Sequence, residues 1–202
     1  MGLFGKSRNE VWKQLSREIN ANYIEGGLFQ GPRIELKHNI WSIYLDTYTV
    51  STGKSSITYT RMRTPLVNTK KFNFKIYRKG IGSNIGKALG MQDIEIGYDD
   101  WFDRDFIIKS NDEELLIKLL QNHNIRRLIE KQSKIVFELK DNEGRFGPKY
   151  DKNESVLYFV VVGVIKDKGR IKDLYDLFKE VLNEFESIGF TINQVPKVLL
   201  YK

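Results

Sequence analysis

WSIYLDTYTVSTGKSSITYTRMR, residues 41–63, decides the fold. Trp41, Ile43 and Leu45 alternate with Ser42, Tyr44 and Asp46, and a second run opens with Ile57 and Tyr59. A period of two sends alternate side chains to opposite faces, so β-branched and aromatic residues in this pattern predict half-buried antiparallel strands. Ser51-Thr52-Gly53-Lys54 supplies turn formers between the runs, which makes Trp41–Val50 and Ser56–Arg63 a hairpin. The same period extends outward to Ile34 and Leu36 on one side and to Phe72, Phe74 and Ile76 on the other. On that alternation the last three face the core, while Lys75 and Tyr77 face out.

Helices flank this block. Ser7 and Glu10 form a capping box ahead of Val11, Trp12, Leu15 and Ile19. A second box, Ser110 to Glu113, opens a helical region through Leu115–Leu120, which pauses at Asn122-His123-Asn124 and resumes through Leu128 and Ile129. Ile171, Leu174, Phe178, Val181, Leu182, Phe185 and Ile188 recur at helical spacing, and Gly189 stands where a helix ends. Short strands are expected at Asp93–Ile96, Phe106–Lys109, Lys134–Leu139 and Ser155–Ile165. Strands and helices in blocks predict an α+β fold: a largely antiparallel sheet with an N-terminal helix, a central helical region and a long C-terminal amphipathic helix. Residues 1–189 read as one domain, and 190–202 as a tail that is either a strand or disordered.

Bulk composition excludes several classes. The chain has 202 residues, 41% hydrophobic and 29% charged, and no cysteine. Disulfides, thiolate nucleophiles and sulfur-ligated zinc are out. No stretch approaches the roughly 20 apolar residues of a membrane span, and the start shows no signal-peptide pattern. A soluble cytoplasmic protein without a cofactor is the expectation.

Four motifs resemble chemistry. Thr52-Gly53-Lys54-Ser55-Ser56 echoes a P-loop, but Tyr48 stands where its first glycine belongs, and a strand rather than a helix follows. Gly80, Gly82 and Gly86 are spaced one residue too widely for a dinucleotide fingerprint and read as a loop. Asp99, Asp100, Asp103 and Asp105 offer hard oxygen ligands for magnesium or calcium, though at no EF-hand spacing. The competing reading is a solvated loop anchored by Trp101 and Phe102. His38 and His123 stand alone, with no nucleophile elbow to suggest a triad.

Charge is distributed unevenly. Between Thr47 and Gln92 lie Lys54, Arg61, Arg63, Lys70, Lys71, Lys75, Arg78, Lys79 and Lys87, with no Asp or Glu. That segment is +9 in a chain of +7, so the remainder is −2. Tyr59, Phe72, Phe74 and Tyr77 are interleaved with these cations, a mixture that suits nucleic acid or anionic lipid headgroups. A merely solvated strand face accounts for the same residues.

TYTVSTGKSS (residues 47–56), GMQDIEIG (90–97) and FDRDFIIKSND (102–112) resemble segments of a group of uncharacterised bacterial proteins. The resemblance runs from Val11 to about Ile188 and implies a recurring bacterial domain, with no catalytic residue to carry over. The expectation is therefore a non-enzymatic binding module. Its basic sheet and loop, residues 54–87, contact an anionic partner through Arg61, Arg63, Lys70, Lys71, Lys75, Arg78, Lys79 and Lys87. The alternatives are a metal-assisted hydrolase built on Asp99–Asp105, or a scaffold that binds a protein through an apolar patch at the Met1–Gly5 end or the Val195–Tyr201 tail.

Overall fold

A computed structural model describes residues 7–27, 30–51, 53–80, 92–144, 147–191 and 194–201. The hairpin expected at residues 41–63 is β3 (Trp41–Ser51) and β4 (Ser56–Val67), paired from Tyr44↔Arg63 to Ser51↔Ser56. On its flanks lie β1 (Asn22–Ile24), β2 (Arg33–His38), β5 (Phe74–Arg78), β6 (Gln92–Asp93), β7 (Phe106–Ser110), β8 (Val136–Lys140) and β9 (Glu154–Val162). Among the described residues these nine strands form one sheet, ordered β1-β2-β3-β4-β9-β8-β5-β7-β6, and every pair is antiparallel. The fold is α+β, as the block arrangement predicts.

One parity of each strand is apolar, and that face carries the core. Ile34, Ile43, Leu45, Met62, Phe159, Phe137 and Ile76 pack in a single cluster with residues of α1 (Arg8–Glu18), α3 (Glu113–Gln121), α4 (His123–Glu130) and α5 (Lys168–Ser187). Phe178 of α5 meets Phe137 edge-on at 5.7 Å, and the Trp12 indole donates to the Ile165 carbonyl at 3.0 Å. α1 begins with the Ser7–Glu10 capping box read from the sequence. α5 ends at Ile188 with Gly189 at φ +63°, the left-handed turn that glycine adopts without a Cβ clash.

Local differences have physical causes. Ser110 does not cap α3; it ends β7, where its hydroxyl bonds the Asn73 carbonyl and accepts from Asp112 N–H. Asp112 caps instead, accepting from Leu115 N–H at 3.0 Å. The aspartate run is no loop but a short helix, α2 (Asp100–Asp105), which plants Phe102 in the core against Phe106. Tyr77 does lie on the face opposite the core, yet it is buried between its cross-strand neighbours Val136 and Ile107. The tail carries no strand along Gln194–Tyr201, and Phe190 belongs to the core. Lys87, the Met1–Gly5 end and most of the glycine-rich connector lie outside the described residues.

Pro65 marks a gap. β4 pairs with β3 only as far as Arg63, whereas its pairing with β9 continues to Val67. Proline donates no N–H, so it sits where one edge of the strand has no neighbour.

Candidate functional site

Among the described residues no helix packs on the opposite parity of the sheet, which mixes polar and aromatic side chains with a few β-branched ones. Tyr44, Arg63, Tyr158, Glu138, Lys75 and Lys109 stand in one row across five strand pairings. The next row toward the hairpin tip holds Asp46, Arg61, Val160, Val136, Tyr77 and Ile107.

At the centre of this face is a buried ionic network. Arg61 grips Asp46 with both arms, at 2.6 and 3.0 Å. Arg63, 2% exposed, spans Asp46 at 3.0 Å and Glu143 at 3.0 Å, and donates to the Tyr201 hydroxyl at 2.9 Å. Tyr201 in turn donates to Asp46, and Tyr150 donates to Glu143. The Tyr201 ring lies under the Arg33 guanidinium at 4.1 Å and beside Tyr44 at 5.1 Å. Burial pushes the Asp46 carboxyl up, but the Arg61 hydrogen bond and the charges of Arg63 and Arg61 outweigh it, leaving the group below its ordinary value. The phenols go the other way: burial, joined by neighbouring carboxylates, raises Tyr150 and holds it neutral. Two paired guanidinium–carboxylate sets, with the Tyr150 and Tyr201 phenols bonded to them, form one connected network. They leave no ionised base free to take a proton.

Toward the hairpin tip the same face turns apolar. Tyr48 and Tyr59 stack across the strands at 5.0 Å, and Val50 pairs with Ile57 beyond them. Val162, opposite Tyr59, is 63% exposed, and Val50 and Ile57 are 43% and 37% exposed. From Thr47 to Thr60 the hairpin contains no acidic residue, and Lys54 sits in its turn. The P-loop look-alike is this turn.

The predicted cations are not gathered into one place. Arg61 and Arg63 are inside the network. Lys75 pairs with Glu138 at 3.5 Å, and Arg78, on the core-facing parity at the end of β5, pairs with Asp105 and donates to the Glu130 carbonyl. Lys79 donates to the Asp103 carbonyl. Lys54, Lys70 and Lys71 are exposed and form no ion pair with a described residue. They stand at opposite ends of β4, whose 12 residues span roughly 36 Å at about 3.3 Å per residue.

The aspartates are equally dispersed in role. Asp99 pairs with Arg126, Asp103 accepts from the backbone N–H of Ile96 and Gly97, and Asp105 pairs with Arg104 and Arg78. Asp100 is exposed. Among the described residues no three acidic or histidine side chains converge in a way that could hold a metal. His38 bonds Asn183 at 2.8 Å, and His123 opens α4.

Sequence reading overlooked Asp46, Glu143 and Val162, and took Tyr201 only as the end of an apolar tail. The one available signal was register: a hairpin closed at Ser51 and Ser56 sets Asp46 opposite Arg61. No helix of the described chain is long and apolar enough to cross a membrane. No family model matches the sequence, and no curated protein matches it significantly. Among solved structures the chain is similar to the mycobacterial trehalose monomycolate transport factor A, TtfA, with a TM-score of 0.53 and 6% identity over 90% of this chain and 96% of that one. At that identity the likeness establishes a shared fold.

Proposed function

We propose that the protein is a binding module that docks on an anionic lipid surface through the tip of the β3–β4 hairpin. The carrying observation is the exposed Val50 and Ile57, with Val162 of β9 and the stacked tyrosines beside them, at a hairpin tip (residues 47–60) without carboxylates in a chain of net charge +7. Fully burying an exposed Val or Ile side chain contributes about 1.5–3 kcal/mol, so each of these three, already partly covered, contributes roughly half of that, whereas a lysine near an anionic surface contributes about 1 kcal/mol. Three such side chains therefore outweigh Lys54, and charge mainly brings the tip to the surface. Tyrosine suits that boundary, with an apolar ring and a wet hydroxyl. The fold shared with a protein described as a transport factor supports a role in binding or transport without naming a ligand.

Co-flotation with phosphatidylcholine vesicles, with and without phosphatidylglycerol, tests the reading. Wild type should float with the anionic vesicles only. Val162→Asp and Lys54→Glu should each weaken binding, and Lys71→Glu, with the same net charge as Lys54→Glu but at the far end of β4, should not. Equal loss from the two lysine variants would mean that net charge alone is being read. Retention of a single-stranded oligonucleotide in place of the vesicles would move the assignment to nucleic acid.

A further inference from the structure

Gln194–Tyr201 lies as an irregular strap on the helix-free face and is fastened at two points. Lys197 N–H donates to Glu154, and the Tyr201 phenol enters the Asp46–Arg63 network. The strap, through Pro196, Val198 and Leu200, forms one wall of a cleft of about 210 Å³. Ile40, Trp41, Tyr44 and Pro65 form the other wall. The gap that Pro65 leaves beside β3 is what the strap covers.

Three observations meet here. The cleft is walled mainly by apolar side chains. Arg33 Nε, Arg63 Nε and Trp41 Nε1 are buried without an acceptor, and these residues border the cleft or the Tyr201 ring that closes it. Buried donors are ordinarily satisfied by protein or by water; of these three, Trp41 lines the cleft, and the two arginines lie against the Tyr201 ring that bounds it. Finally, the Arg33 guanidinium bonds the neutral Gln30 side chain at 3.2 Å, lies against the Tyr201 ring and forms no ion pair with a described residue. That charge is available to an anion. As it stands, the cleft is smaller than the roughly 300–1,000 Å³ of ligand sites, so a ligand requires the strap to lift. The strap has no strand pairing, and Val195 and Leu199 are 64% and 68% exposed, so lifting it breaks no sheet hydrogen bond.

We propose that the strap is a lid over a site for a single-chain anionic amphiphile. The head group takes the place of the Tyr201 phenol beside Arg33 and Arg63, and the chain lies along Ile40, Tyr44 and Pro65. The site shares its ligand chemistry with the hairpin reading but none of its residues.

Fluorescence titration with dansyl-undecanoate, followed by competition, tests the site. Laurate and dodecyl phosphate should displace the probe, while inorganic phosphate should not. Dodecyl maltoside, with a chain but no charge, should compete at least about tenfold more weakly, the scale of one hydrogen bond to a charged group. Arg33→Gln should weaken probe binding about tenfold for the same reason, with Arg33→Lys as the second variant if the first melts early. Tyr201→Ala should tighten binding, since it removes the resident group. The proposal is overturned by no saturable binding to wild type, by equal binding to both Arg33 variants and wild type, or by dodecyl maltoside matching laurate. Loss of binding in a Tyr201→Ala protein that melts normally overturns it as well. Val162→Asp should leave the titration unchanged. Vesicle binding without probe binding therefore fails this site alone, and probe binding without vesicle binding fails the hairpin alone.

Discussion

Asp46 holds the helix-free face together: it accepts from Arg61, Arg63 and Tyr201 and is almost fully buried. Removing its charge leaves the Arg61 and Arg63 guanidinium groups to share the single carboxylate of Glu143. Asp46→Asn should therefore destabilise the protein by about 3–5 kcal/mol at neutral pH, the range for breaking a buried pair. The pH dependence has a definite sign. The folded carboxyl titrates below its ordinary value of 3.8, so its contribution is complete above about pH 4 and is lost as pH falls through the folded value. Urea unfolding of wild type and Asp46→Asn should thus show a wide gap at pH 7 that narrows near pH 3, and a gap that stayed constant would falsify this role for the carboxylate. Glu18 offers a contrast. Hydrogen bonds from Lys168 and Lys172 lower it to about 2, but it titrates at the surface, where water and salt screen the pair.

Elements were legible where a periodic pattern was long. The hairpin and α5 each repeat their pattern over many residues, and the Gly189 stop sits where the helix ends. That stop supplies a clean test, because a Cβ at Gly189 meets nothing within 4 Å. Gly189→Ala should cost about 1 kcal/mol through backbone conformation alone. Gly27→Ala, also in open space but without a positive φ, should be neutral or slightly stabilising. Equal midpoints for the two variants in urea would mean that Gly189 is not needed to end α5. Among the short elements β7 was legible, expected at Phe106–Lys109 and found at Phe106–Ser110, but α2 was not. In α2 a six-residue helix carries four charges, and its reason for forming is the burial of Phe102, a tertiary fact. At the start of α3 both Ser110 and Asp112 fit a cap, and only the pairing of β7 with β5 takes Ser110 away.

At the scale of the molecule, the +9 segment was a correct count and a poor map. Glu143 lies 80 residues from Arg63, and Tyr201 lies 138, so no local pattern could announce that the arginines are clamped. Lys75 and Arg78 meet Glu138 and Asp105 only because β5 sits between β8 and β7. What survives pairing is a long-range field from +7 overall and an apolar hairpin tip that needs contact. These two contributions separate with ionic strength. Raising salt from about 0.1 M to 1 M shortens the Debye length from about 10 Å to 3 Å, which removes attraction at a distance and leaves apolar burial intact. If docking uses both, stopped-flow binding to anionic vesicles should show an association rate that falls steeply with salt and a dissociation rate that barely moves. Val162→Asp should do the reverse, speeding dissociation at every salt concentration with little change in association. Salt that accelerated wild-type dissociation as much as Val162→Asp does would place the contact among the lysines instead of the valines, and the tip would then be an exposed hairpin with no role at the membrane.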